Sequence, residues 1–188
     1  VRRAAVEAKD TVLIMGAGPI GIGLIHFAKI AGAKVIAMDI NDYRLNFCKE
    51  ELQVDAVINP LTEDVAEKLK EFTNGDMANV VIDATGNRNV MNGAFNYIAH
   101  GGRYVLVGLQ KGELSFSHPD FHKRETTLMS SRNATVEDFE YVMECLKSGK
   151  IDPKKYITHR ADFTDMIDVF DQWIDPKSNC IKALIELH

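Results

Sequence analysis

Apolar and polar positions switch between two periods along most of this chain. Thr11–Met15 (TVLIM) is an unbroken apolar run, the pattern of a strand buried on both faces. Residues 19–32 then show helical spacing, with Ile20, Leu24, Phe27, Ala28 and Ala31 on one face, Pro19 at the first turn and Gly32 at the end. Lys34–Asp39 reads as a second strand, Asp42–Leu52 as a polar-faced helix and Ala56–Ile58 as a short strand. A helix over Glu63–Thr73 is stopped by Asn74-Gly75, and Asn79–Asp83 is a fourth strand. The pattern predicts a helix over Arg88–His100, a turn at Gly101-Gly102 and strand Arg103–Val107. Thr126–Met129 is a sixth strand, and Val136–Ser148 a helix ending at Gly149. Strand–helix alternation of this kind builds an α/β fold, a doubly wound six-stranded parallel sheet with helices on both faces.

The ends depart from this rhythm. Val1–Val6 reads as the last turn or two of a helix closed by Lys9-Asp10. A helix starting at residue 1 without an N-cap suggests part of a longer polypeptide. After Asp152-Pro153 come an extended stretch (Lys155–Arg160), a helix (Thr164–Trp173) and a strand (Ile181–Leu187). This short α/β C-terminal tail of about 38 residues is too small for its own core. The expected organisation is a main domain over 1–150 and a tail over 151–188 that packs on it or on something beyond this chain.

Composition is that of a soluble globular protein, 46% hydrophobic and 26% charged in 188 residues. A net charge of -5 and the lack of a basic tract longer than His122-Lys123-Arg124 argue against nucleic acid as partner. Apolar runs fall far short of the ~18 residues of a membrane span, and no secretory signal is visible. Cys48, Cys145 and Cys180 are distant and odd in number, which fits free thiols and a cytoplasmic setting.

The chemistry centres on Gly16-Ala17-Gly18-Pro19-Ile20-Gly21. Alone, a G-x-G-x-x-G is weak; directly after a strand and before a helix, it has the context of a dinucleotide-binding turn. Gly16 makes the tight turn, Gly18 admits a pyrophosphate to the backbone, and Gly21 lets helix and strand pack closely. The helix N-terminus then offers unpaired N–H groups to the phosphates. Asp39, at the end of the second strand, lies 18 residues past Gly21, close to the ~20 expected of the acid that accepts from ribose hydroxyls. A carboxylate there repels a 2′-phosphate, so the set reads as NAD rather than NADP. Arg44 cuts the other way, able to help a 2′-phosphate or to flank the adenine. A cofactor-free Rossmann-like fold and an S-adenosylmethionine binder are the alternatives.

With these motifs in hand, the sequence resembles the cofactor domain of zinc-dependent medium-chain dehydrogenases, the group of alcohol, sorbitol and threonine dehydrogenases. The resemblance runs through Lys9–Gly21, Val81-Ile82-Asp83-Ala84-Thr85-Gly86, Gly101–Leu109 and Ile181–Leu187. Asp39 with Arg44 and the Val107-Gly108-Leu109 turn point to the sorbitol-type branch, which oxidises sugars and polyols. The resemblance implies a Rossmann fold and a set of roles. Gly18, Pro19 and Ile20 would lie at the pyrophosphate. Asp39 would hold the adenosine ribose, with Arg44 near the adenine or ribose, and Ile40 counts among the cofactor-binding residues. Thr85 and Gly86 would flank the cofactor where it crosses the sheet. Val107, Gly108 and Leu109 would offer backbone groups to the nicotinamide carboxamide, and Ser131 and Arg132 would approach the nicotinamide ribose. A symmetric homodimer or tetramer through the edge strand Glu125–Ser130 is expected as well.

In that family a zinc ion held by Cys, His and Glu polarises the alcohol. Those ligands are expected outside this chain, which has no Cys-x-x-Cys and no His-Glu pair at ligand spacing. His118 and His122 are four apart, but Pro119 between them favours a surface loop. The expected function is therefore NAD(H) binding in a zinc-dependent alcohol, polyol or sugar-acid dehydrogenase whose catalytic half lies elsewhere, the fragment itself being inactive. A zinc-independent quinone reductase, a methyltransferase and a non-enzymatic nucleotide-binding module are the rivals. A short-chain dehydrogenase is disfavoured, because no tyrosine has a lysine four residues on.

Overall fold

The computed structural model describes residues 1–188, the side chain of Pro176 excepted. The chain divides into two compact units, Val1–Asn133 and Ala134–His188. This division precedes the 150/151 boundary read from the pattern.

The first unit holds β1 (Thr11–Met15), α1 (Pro19–Ile30), β2 (Lys34–Met38), α2 (Asp42–Glu50), β3 (Ala56–Ile58), α3 (Val65–Phe72), β4 (Ala78–Asp83), α4 (Arg88–Gly93), β5 (Ile98–Leu106), α5 (His118–Lys123) and β6 (Thr127–Ser130). All six strands are parallel, in the order β3-β2-β1-β4-β5-β6. The chain thus winds outward from β1 in one direction and from β4 in the other. Between those two strands lies the switch point where doubly wound sheets bind ligands.

The central strands are apolar because both their faces are covered. Leu13, Met15, Ile36, Met38, Ile58, Val81 and Tyr104 form one buried layer with Val65 and Leu69 of α3. Their alternates Val12, Ile14, Val35, Ala37, Val80 and Ile82 are equally buried, and α1 packs on β1 and β2. Each large aliphatic side chain so buried contributes about 1.5–3 kcal/mol.

Four expectations need correction. The buried face of α1 is Gly21, Ile22, Ile25 and Ala28, whereas Ile20 is 59% exposed. This helix is apolar almost all round, so periodicity alone does not fix its rotation; the contact at Gly21 does. The helix over Arg88–His100 ends at Gly93, passes through a 3₁₀ turn over Ala94–Tyr97, and becomes strand at Ile98. Ile98 pairs with Ala78, and the register then jumps to Arg103 opposite Val80. The segment His118–Lys123 is a short helix rather than a loop, with the Ser117 hydroxyl accepting from the Asp120 N–H and the proline in its first turn.

The first residues form turns rather than a helix. Ala5 has φ +46°, the Ala5 N–H donates to Arg2 O and the Val6 N–H to Val1 O, the closure that ends helices. Arg103 anchors this segment by donating to Ala5 O at 2.9 Å and pairing with Asp10 at 2.6 Å.

The second unit contains α6 (Val136–Lys147), β7 (Ile157–Asp162), α7 (Met166–Ile174) and β8 (Lys182–Glu186). β7 and β8 pair in parallel. Val136 and Phe139 on α6 and Ile167, Phe170 and Ile174 on α7 are exposed. Among the described residues no helix is long and apolar enough to cross a membrane.

Candidate dinucleotide site

The site lies at the carboxyl ends of β1, β2, β4 and β5. Gly16 leaves β1 with φ +95°, a conformation that favours glycine. A Cβ on it would stand 3.1 Å from Thr85 Cγ2 and 3.2 Å from the Ala84 carbonyl carbon, so the turn is pressed against the end of β4. Gly18 caps α1 without a side-chain hydrogen bond, Pro19 is in the first turn, and no acid stands there. By contrast α2, α3, α4 and α5 each have a side-chain cap from Asn41, Asp64, Asn87 and Ser117. The N–H groups at the start of α1 are therefore open to an outside acceptor, beside the positive end of the helix dipole.

Gly21 is held for a different reason. A Cβ there would lie 2.8 Å from the Gly16 carbonyl carbon and nearer still to its oxygen. Helix α1 thus rests directly on the turn that precedes it.

Asp39 follows β2 and spans the gap to the glycine turn. Its Oδ2 accepts from the Ala17 N–H at 2.6 Å and its Oδ1 from the Asn41 N–H at 2.9 Å. Both oxygens keep lone pairs for further donors. Ile40 beside it is 63% exposed. Arg44, on α2, brings Nη1 to 3.9 Å from where a Cβ would stand on Gly18. One carboxylate and one guanidinium therefore border the glycine turn. Cys48, on α2, is buried; burial, with the Asp39 charge adding, holds its thiol up at about 12, so it stays protonated and unreactive.

The second half of the site joins the ends of β4 and β5. Gly86 has φ +63°, and a Cβ on it would lie 2.7 Å from Leu109 O. A Cβ on Gly108 would strike Gly86 N and Asp83 Oδ2. The Val107 and Gly108 N–H groups donate to Asp83 O at 3.0 and 2.8 Å. Ser131 follows β6 and donates its N–H to Leu106 O, while Arg132 is exposed beyond it.

The structure thus brings together Gly16, Gly18, Gly21, Asp39 and Arg44, and separately Thr85, Gly86, Gly108 and Leu109, with Gly16 against Thr85 linking the halves. Ser131 is tied to β5, whereas Arg132 is exposed beyond both clusters. Sequence reasoning left Asp83 out of the site. The signal was an acid closing the otherwise apolar run Val80-Val81-Ile82, where the sheet interior offers no water to a charge.

His118 and His122 sit on α5 with ring centroids 5.9 Å apart. Among the described residues, the grouping of three side chains able to hold a metal is Asp162, Glu186 and His188, at the surface of the second unit. It is not a Cys, His and Glu set.

The family model for zinc-binding dehydrogenases matches residues 19–148. L-galactonate-5-dehydrogenase of Escherichia coli strain K12 is 43% identical, over 98% of this chain and 54% of that protein. L-arabinitol 4-dehydrogenase of Aureobasidium melanogenum is 31% identical over 99% and 52%. Among solved structures, a short chain alcohol dehydrogenase of Escherichia coli CFT073 complexed with the cofactor NADH superposes with a TM-score of 0.89 at 28% identity, over 98% of this chain and 54% of that one. The 2R,3R-butanediol dehydrogenase of Bacillus subtilis gives 0.88 at 26%, over 98% and 53%. The chain spans about half the length of these relatives.

Proposed function

We propose, from the premise that the chain belongs to the zinc-binding dehydrogenase family, that it is the NAD(H)-holding half of an enzyme passing hydride between a secondary alcohol and NAD. The observation that carries this reading is the Asp39 carboxylate, hydrogen-bonded to the Ala17 N–H of the glycine turn. That contact joins the element suited to a ribose to the element suited to a pyrophosphate. The open α1 N-terminus and the bare Gly18 backbone fit the phosphates; lone pairs on Asp39 fit ribose hydroxyls. The nicotinamide ring, when bound, supplies the hydride donor or acceptor carbon. This chain would bind and orient: Gly18, Pro19 and Ile20 at the pyrophosphate, Asp39 and Ile40 at the adenosine ribose with Arg44 beside them, Thr85 and Gly86 at the crossing, Val107–Leu109 at the carboxamide, and Ser131 and Arg132 at the second ribose.

Zinc would be held by residues outside this chain, since Asp162, Glu186 and His188, the grouping among the described residues, are not a Cys, His and Glu site. Polyols and sugar acids are the proposed substrates, in keeping with the galactonate and arabinitol relatives. The exposed Ile167, Phe170 and Ile174 support a tail that packs on the catalytic part of a longer protein. The isolated chain is expected to bind NADH without turnover, in a cytoplasmic setting.

The test is titration of the 188-residue chain with NADH and NADPH. NADH should bind more tightly, and Asp39→Ala should weaken it by about 1–3 kcal/mol as ribose hydroxyls and the Ala17 N–H lose their acceptor. Tighter NADPH binding by the wild type, or an unchanged NADH affinity in Asp39→Ala, overturns the reading.

A homodimer is proposed through β6, which closes one edge of the sheet and leaves Leu128 36% exposed. Sedimentation equilibrium should show a dimer that Leu128→Lys dissociates. A wild-type monomer at high concentration removes the proposal.

A further inference from the structure

Asp83 ends β4 fully buried. Three donors converge on its carboxylate: the Thr85 N–H at 3.2 Å and the Thr85 hydroxyl at 2.6 Å on Oδ1, and the Gly86 N–H at 3.1 Å on Oδ2. Its main-chain oxygen takes the Val107 and Gly108 N–H groups. One residue therefore fastens the turn after β4 through its side chain and the turn after β5 through its backbone. Gly108 closes the wedge, since no Cβ fits there between Asp83 and Gly86.

The Thr85 hydroxyl is fixed as a result. Its hydrogen is given to Asp83, and its oxygen accepts from the Asn87 N–H at 3.0 Å. A hydroxyl has one hydrogen and two lone pairs, so this exposed group can only accept from a ligand. The NH₂ of the nicotinamide carboxamide suits it; a bare carbonyl does not.

We propose that Asp83 is the positioning residue for the nicotinamide-side half of the site: its buried carboxylate sets the Thr85–Gly86 turn against Val107–Leu109 and turns the Thr85 hydroxyl into an acceptor for the cofactor. This rests on the proposed binding of NAD(H). Asparagine at 83 keeps the shape, but its NH₂ faces an N–H where an acceptor is needed, leaving a buried donor unmatched.

The test is titration of the 188-residue chain and its Asp83→Asn variant with NADH and with ADP-ribose, which lacks only the nicotinamide. NADH affinity should fall about tenfold or more, the equivalent of one lost buried hydrogen bond, while ADP-ribose changes less than about threefold. The emission of bound NADH should move toward that of free NADH. Equal losses for both ligands, or no loss of NADH affinity, overturn the proposal. Thr85→Val probes the same geometry should Asp83→Asn fail to fold: it should show the selective loss, and Thr85→Ser, keeping the hydroxyl, should rescue it. Like behaviour of the two Thr85 variants overturns the proposal as well. A wild-type chain that binds neither ligand removes the cofactor reading and this role together. One that binds both, with no selectivity lost in either variant, removes only this role.

Discussion

Gly21→Ala should lower the unfolding free energy by about 3 kcal/mol or more and abolish NADH binding. The added methyl has no room, because it meets the main chain of Gly16 rather than the end of a flexible side chain. Relief requires α1 to lift from β1, and that shift spreads into the buried contacts of Ile22, Ile25 and Ala28. It also moves the N–H groups proposed to face the pyrophosphate. Two residues on, Gly23 provides the control. A Cβ there meets nothing within 4 Å, and the position is inside the helix. Gly23→Ala should therefore stabilise the chain by about 0.5–1 kcal/mol through helix propensity. Urea denaturation of the two variants reads the contrast. Equal stability would mean that the close approach of α1 to its own turn carries no energetic weight.

The second large effect is expected at Arg103, far from the glycine turn. The Asp10 side chain is 4% exposed and the Arg103 side chain 24%, with 2.6 Å between the charged groups. Asp10 also accepts from the Glu7 N–H at 2.9 Å. Arg103→Met keeps much of the apolar stem but leaves a buried carboxylate without its cation. Breaking such a pair from one side costs about 3–5 kcal/mol, and the partial exposure of Arg103 points to the lower end, about 3 kcal/mol. Adding Asp10→Leu should recover part of the loss, since replacing both charges by apolar groups is often neutral. A single-variant loss below about 1 kcal/mol, the range of surface pairs, would show the pair to be well solvated. This region is remote from the proposed cofactor turns in the strand direction, so NADH affinity of the folded variant should be retained.

Much of the fold was legible because its central strands speak for themselves. Val12–Met15, Val35–Met38 and Val80–Ile82 are apolar on both faces, and helices separate them, which leaves few arrangements besides a covered parallel sheet. The glycine turn and Asp39 stood out for a chemical reason, since each residue type answers a requirement of a dinucleotide at a set spacing, and the structure sets the Asp39 carboxylate on the Ala17 N–H. The misreadings have other causes. Met91, Ala94 and Ile98 have helical spacing, yet Ile98 becomes strand because Ala78, twenty residues earlier, offers it a partner. No local window contains that choice. Pro119 was weighed as a helix breaker, whereas at the first turn it starts one. Asp83 looked like the end of a strand, and its role emerged only once β4 and β5 lay side by side and Gly108 closed over it.

The bond between Asp39 and the glycine turn bears on any attempt to re-engineer the proposed cofactor preference. With Oδ2 on Ala17 and Oδ1 on Asn41, the carboxylate is tethered at both ends and cannot swing aside for an incoming phosphate. New cations on neighbouring helices would leave the repulsion in place, so Asp39 itself has to be replaced. Replacement, however, strips the buried Ala17 N–H of its acceptor. If the proposed binding of NAD(H) holds, selectivity and rigidity are vested in one side chain, and a switch to a phosphorylated dinucleotide should succeed only where the substitute also caps that amide, as a serine or asparagine would.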